Sequence, residues 1–315
     1  MKPKILVILG PTASGKSGLA VELALRFNGE VISADSRQVY TGLDIGTGKI
    51  TQAEMKGVPH HLLDVADPST ERYTVSDWKM AAEKAVQDIL SRGTPEQPKL
   101  PVICGGTGFY IDALLCNTDF PDVPHNEQLQ KSLEKKEPAE LVEILAQLDA
   151  ERAANIDPKN RRRLIRAIEI ATALGKVPEV TLKERTDWDI LKIAIDTPTE
   201  VLRKKITDRL IARIDAGMIE EGIRLHTGTN TDTTTTPRAP LSYERMDELG
   251  LEYRYIAELM QSKLSRIKFV EILGAKIWQY SRRQMTWFRR DKTINWFSLK
   301  NTAEIEKAVS NFIKK

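Results

Sequence analysis

The chain has almost no cysteine: only Cys104 and Cys116 in 315 residues. Two thiols can build neither a disulfide framework nor a Cys-based zinc site, so both are expected to be reduced. Long apolar runs are lacking too. The N-terminal stretch MKPKILVILG reaches only five successive apolar residues, Ile5–Leu9, before a glycine. That is too short for a signal-peptide core or a membrane span, so a cytoplasmic protein is expected. Overall charge is nearly balanced, with 47 Lys and Arg against 44 Asp and Glu, and the net +3 names no partner. No internal repeat is evident. His60 and His61 are adjacent in GVPHHLLDV and cannot share a helical face as metal-binding H-E-x-x-H histidines do, so no metal is assigned to them.

At 41% hydrophobic, a chain of this length can bury a large core, alone or with a smaller domain beside it. The first 120 residues alternate strand and helix patterns. KILVILG, EVISAD and LPVICGG read as buried strands, with helices over Lys16–Phe27 and Val75–Leu90 and a third beginning in FYIDALL. That is βαβ order, hence a parallel sheet covered by helices. NTDFPDVPHN is a proline-punctuated linker, and from Glu127 to about Leu174 the pattern is helical and highly charged. ILKIAID (Ile190–Asp196) returns to strand character, followed by a long amphipathic helix through Ile219. Thr227–Pro240 is a threonine-rich loop, and helices dominate thereafter. The expected architecture is α/β: a P-loop NTPase-like parallel sheet flanked by helices over 1–119 and 180–315, with an inserted all-helical domain at 120–179.

GPTASGKS, after the first strand, has the spacing of a phosphate-binding loop: Gly10, Pro11, Thr12, Ala13, Ser14, Gly15, Lys16 and Ser17. Backbone N–H groups at a helix N-terminus cradle phosphates, Lys16 adds charge, and the Ser17 hydroxyl can hold Mg²⁺. The loop alone fits kinases, GTPases and ATPases equally. Asp35, at the end of the second strand, reads as a Mg²⁺ ligand or a general base, followed by Ser36, Arg37 and Gln38, which can hydrogen-bond a base or a phosphate. CGGTGFYIDALL sets three glycines around Thr107 at a strand-to-helix turn. DPKNRRRLIRAIEI puts Arg162 and Arg166 on one helical face, with Leu164, Ile165 and Ile168 on the packed side. From Lys263 to Lys292 nine basic residues stand against two acidic ones, interleaved with Trp278, Tyr280, Trp287 and Phe288. Such a segment is either a nucleic-acid footprint or a solvated helix face with its aromatics in the core.

Taken together, GPTASGKS, ISADSRQVYTGLDIGTGKIT, GVPHHLLDV, CGGTGFYIDALL, NRRRLIRAIEI and QYSRRQMTWFRRD resemble the tRNA dimethylallyltransferases, which prenylate adenosine 37 of the anticodon loop. The segments run in family order from residue 10 to residue 291. The resemblance implies that the loop holds the pyrophosphate of dimethylallyl diphosphate, with Mg²⁺ as cofactor, and that the acceptor is N6 of the adenine. It implies catalytic roles for Asp35 as base and for Lys16, Thr12 and Arg213, with Arg209 one turn earlier as the competitor for facing the diphosphate. It also implies that Asp35, Ser36, Arg37, Gln38, Thr107, Arg162, Arg163, Arg166, Arg282 and Arg283 meet tRNA. With no convincing acceptor site for phosphoryl transfer, ATP is expected in the loop only as a competitor, and the protein is expected to be a monomer with no membrane partner.

The chain departs from the family in two places. LGLEYRY stands where Gly-Tyr-Lys-Glu is usual, and the threonine-rich stretch precedes it. The zinc-finger tail of eukaryotic relatives is absent, so the bacterial type is the better match. Three other readings share the loop: a small-molecule kinase with Asp196 as metal ligand, an RNA-binding protein with a relic loop, and a prenyltransferase acting on a free nucleotide.

Overall fold

Ile5, Val7 and Leu9 point to one side of the first strand and Leu6 and Ile8 to the other, and all five are buried. A strand apolar on both faces must lie inside a sheet covered on both sides. In a computed structural model, which describes residues 2–118, 120–121, 123–124, 126–179, 185–228 and 239–315, it is the fourth of six strands.

The N-terminal elements are β1 (Lys4–Leu9), α1 (Lys16–Arg26), β2 (Gly29–Ala34), the short α2 (Gln52–Met55), β3 (His60–His61), α3 (Val75–Ser91), β4 (Leu100–Gly105) and α4 (Gly108–Leu115). Four helices follow: α5 (Glu127–Leu133), α6 (Pro138–Leu148), α7 (Ala150–Ala154) and α8 (Arg161–Leu174). The rest comprises β5 (Asp189–Asp196), α9 (Thr199–Asp215), α10 (Met218–Thr227), α11 (Tyr243–Leu249), α12 (Leu251–Met260), α13 (Arg266–Phe288), β6 (Asn295–Ser298) and α14 (Thr302–Lys314).

All strand pairs are parallel, in the order β3-β2-β4-β1-β5-β6. One face carries Ile5, Val7, Leu9, Ile32, Ile103 and Ala194 against Trp78, Leu114, Leu210 and Phe269 of the helices. The other carries Leu6, Ile8, Val102, Ile193 and Ile195 against Leu19 and Leu23 of α1 and Ile305 and Val309 of α14. The layering is therefore helix, sheet, helix.

The chain divides into two compact units, Met1–Cys116 with Glu184–Lys315, and Asn117–Lys183. The second has its own core around Leu141, Leu145, Leu164 and Ile168. Inside it Arg166 pairs with the buried Glu169 at 3.4 Å and donates to Val123 O at 2.7 Å, while Arg161 donates to the carbonyls of Glu134 and Lys136. Arg162 and Arg163 are exposed.

Two local expectations change. The helix expected through Ile219 ends at Asp215, where Gly217 takes a left-handed φ of 97° and caps a second helix, α10. The apolar stripe continues across that break through Ile214, Met218 and Ile219, so periodicity did not mark it. The C-terminal part is not wholly helical, because NWFS forms β6 beside β5. His60 and His61 form the two-residue edge strand β3. Most of the threonine-rich loop, residues 229–238, lies outside the described residues.

Candidate active site

Strand order sets the site. β4 lies between β2 and β1, with Gly105 in register with both Ala34 and Leu9. The three segments that follow these strands, Gly10–Ser17, Asp35–Gln38 and Gly106–Thr107, therefore emerge side by side at the carboxyl edge, where α/β sheets bind ligands. Gly105 permits the close approach, since a Cβ there would run into the Ala34 carbonyl.

The phosphate-type loop turns through Ala13 at φ 62° and through Gly15 at φ 94°, the N-cap of α1. A side chain at Gly15 would be strained by that φ and would meet Leu299 Cδ2 at 2.7 Å. The Lys16 ammonium donates to Pro11 O at 3.2 Å. Burial pushes its pKa down; the Asp35 carboxylate opposes that push, and Arg209 adds to it. An anion in the loop would reverse that penalty. Ser14 Oγ is buried without a partner among the described residues. Beneath the loop, Cys104 Sγ donates to Lys16 O at 3.7 Å, and burial pushes the thiol up to about 11, which keeps it protonated at neutral pH.

Asp35 Oδ1 accepts the backbone N–H groups of Arg37 at 2.9 Å and Gln38 at 3.4 Å, a local turn that fixes the carboxylate on the cleft wall. Thr107 Oγ1 accepts the Ser36 N–H at 3.1 Å, and the Tyr280 hydroxyl bonds the same threonine. Burial holds that phenol well above the usual tyrosine range, so it stays neutral. Gln38 Nε2 reaches Gly48 O at 3.4 Å.

A second wall comes from the far half of the chain. Arg209 donates to Gly48 O at 2.8 Å and has no carboxylate partner among the described residues; burial and the neighbouring Arg213 push its pKa down. Arg213 is committed, donating to Gly46 O at 2.7 Å and to Glu252 at 2.8 Å. The loop they hold is fixed by Glu221, only 4% exposed, whose carboxylate takes the N–H groups of Asp44, Ile45 and Gly46 and the Tyr253 hydroxyl. The atypical LGLEYRY segment thus supplies Glu252 and Tyr253 to this wall. The cleft enclosed by the two walls, about 930 Å³ of solvent-connected space, is lined by Thr12, Lys16, Ser17, Asp35, Arg209 and Arg213 among others.

Sequence reasoning missed Gln284. Its amide accepts the Thr12 N–H at 2.9 Å and donates to Gly106 O at 2.9 Å, tying the loop to the glycine turn. Tyr280, Gln284 and Trp287 lie on one face of α13 by their 4 and 3 spacing, a signal available in the sequence. Arg282 and Arg283 are on the exposed side. Asp196 is exposed and does not line the cleft, so the kinase-like ligand role finds no support. No cluster of three or more metal-ligating side chains occurs among the described residues, and no helix among them is long and apolar enough to cross a membrane.

Comparison with known proteins gives one answer. A family model for IPP transferases matches residues 38–291. The tRNA dimethylallyltransferase of Anoxybacillus flavithermus is 37% identical, covering 99% of this chain and 96% of its own. The tRNA dimethylallyltransferase 2 of Treponema denticola is 42% identical over 94% of this chain and 96% of its own. Among solved structures, the tRNA isopentenylpyrophosphate transferase of Bacillus halodurans superposes with a TM-score of 0.70 at 32% identity, covering 99% of this chain and 97% of that one. A eukaryotic dimethylallyltransferase described as acting on tRNA gives 0.73 at 27% identity, over 90% and 69%.

Proposed function

Because the chain belongs to the IPP transferase family, we propose that it transfers a dimethylallyl group from dimethylallyl diphosphate to N6 of adenosine 37 in tRNA, releasing diphosphate. The observation that carries this reading is the meeting of the phosphate-type loop, Asp35 and Arg209 around one cleft.

The chemistry balances within that cleft. The N6 lone pair forms a bond to the allylic C1, the C1–O bond breaks, and its electron pair leaves with the diphosphate. Asp35 takes the N6 proton, which matters because that lone pair is delocalised into the ring and the amine is a poor nucleophile. Lys16, Arg209 and the N–H groups at the start of α1 meet the charge growing on the leaving oxygen. Arg209 suits this better than Arg213, whose charge Glu252 already balances. Arg37 and Gln38 line the cleft, and with the adjacent Ser36 they offer edge hydrogen bonds to an extruded adenine.

The residues present fit Mg²⁺. Ser17 offers its hydroxyl in the cleft, and this cation favours few protein ligands completed by phosphate and water. When bound, it would neutralise charge on the departing diphosphate. The chain is read as a cytoplasmic monomer.

Labelled dimethylallyl diphosphate with Mg²⁺ and either unmodified tRNA or AMP tests the reading. Label appears in tRNA alone; label in AMP, or ATP hydrolysis stimulated by a small hydroxylated substrate, would replace it. The insertion supplies a further expectation. Arg162→Ala and Arg163→Ala each weaken tRNA binding and flatten its salt dependence by about one unit of slope, as expected for a lost phosphate contact. Arg166→Ala also lowers the melting temperature, since it removes one partner of the buried Glu169 and the hydrogen bond to Val123 O.

A further inference from the structure

Arg209, which meets the departing diphosphate in the reading above, is held by one acceptor among the described residues, Gly48 O at 2.8 Å. Where that carbonyl stands decides where the cation stands. Residues 41–50 contain neither helix nor strand, so no regular ladder of backbone bonds fixes it. The segment closes on itself instead: the Gly48 N–H donates to Ile45 O at 3.0 Å, the Lys49 N–H to Asp44 O at 2.9 Å and the Thr47 hydroxyl to Leu43 O at 2.6 Å. Gly48 takes a left-handed φ of 60°, and a Cβ there would run into the Arg209 guanidinium.

The back of this turn is a buried carboxylate. Glu221, in the first turn of α10, accepts at Oε2 from the N–H groups of Asp44 at 3.1 Å and Ile45 at 2.6 Å. Its Oε1 accepts from the Gly46 N–H at 2.9 Å and the Tyr253 hydroxyl at 2.8 Å. Three successive N–H groups converging on one anion form a nest. Among the described residues no Lys, Arg or His pairs with Glu221, and it does not line the cleft. It neither balances a cation nor touches a substrate bound there. Burying a carboxylate costs free energy that its donors offset only when they are in place, so the turn is held in one conformation or released.

We propose that Glu221 is a positioning residue for the transfer reaction: by gripping the N–H groups of residues 44–46 it sets Gly48 O, and through that oxygen the guanidinium of Arg209. The proposal rests on the prenyl-transfer reading above. A donor aimed at charge that grows on a leaving group is effective because it is fixed beforehand and needs no reorganisation as the bond breaks. A displacement of about 1 Å caused far from the chemistry costs up to about 10²-fold in rate.

The test compares four full-length proteins, the wild type, Glu221→Gln, Arg209→Gln and the variant carrying both, in single-turnover transfer of label from saturating dimethylallyl diphosphate to unmodified tRNA. In Glu221→Gln an NH₂ group faces donors where an oxygen accepted them. Its rate constant falls about 5- to 100-fold, while the amplitude per folded protein stays that of the wild type. In the Arg209→Gln background the same change costs less than about twofold, because no guanidinium is left to misplace. Tyr253→Phe removes one of the four donors and gives the same pattern at about 2- to 10-fold, which decides the matter if Glu221→Gln does not fold. A purely structural role gives another result: the losses multiply in the double variant, or the amplitude falls and the rate constant does not. Either of these, with label still reaching tRNA in the wild type, overturns the positioning role and leaves the prenyl-transfer reading standing. If the wild type transfers no label, both fall.

Discussion

Asp35→Asn slows single-turnover prenyl transfer about 10²- to 10⁴-fold while tRNA and diphosphate still bind, the range for removing a positioned general base. Asparagine keeps the shape and, through its carbonyl oxygen, can keep accepting the Arg37 and Gln38 N–H groups that fix the turn. It cannot take the N6 proton. The size of the loss therefore reports proton acceptance rather than collapse of the loop. If the carboxylate serves chiefly to hold Mg²⁺, the same variant instead weakens metal-dependent diphosphate binding, and raising Mg²⁺ recovers much of the rate. A single-turnover series across a Mg²⁺ titration separates the two, and near-wild-type turnover at saturating metal removes the base role.

Arg209→Gln lowers the same rate about 10²- to 10³-fold, as expected for a donor aimed at charge that develops only as the leaving group departs. Arg213→Gln behaves differently. It leaves Glu252, 13% exposed at its side chain, without its cation, so its first effect is a lower melting temperature. Comparing both variants by melting temperature and by rate under saturating donor assigns the roles. A larger rate loss in Arg213→Gln than in Arg209→Gln, with both proteins folded, would give the leaving-group role to Arg213.

Most of the sheet was legible because its strands are short apolar runs buried on both faces. Ile5–Leu9 and Ile190–Asp196 needed no tertiary knowledge. β6 was not legible: its NWFS has exposed ends and half-buried middle residues at the sheet edge, so it shows no apolar run. The three strand-end segments of the site were found because each follows a strand and carries its own local chemistry. That they are neighbours depends on β4 entering between β2 and β1, which no local pattern encodes. Resemblance points to Arg213, while the neighbour that sets it apart from Arg209 in the structure, Glu252, lies 39 residues further along the chain. Gln284 is not legible on its own, because a glutamine in a basic, aromatic helix looks like surface; its role depends on the Thr12 N–H that faces it.

The place of β1 has a consequence for how the chain folds as it is made. Its partners arrive late: Leu6 pairs with Val102, and Ile5 with Ile190. β1 is made before either partner and must wait for β5 before both its edges are covered. The unit of Asn117–Lys183 draws its contacts from within a short span and is free to form while that wait continues. Local contacts form fast and distant ones slowly. β6 and α14 follow β5 in the chain, pairing its free edge and covering one face, so a nascent chain halted before Asn295 presents the bare edge of β5, a template for pairing with another chain.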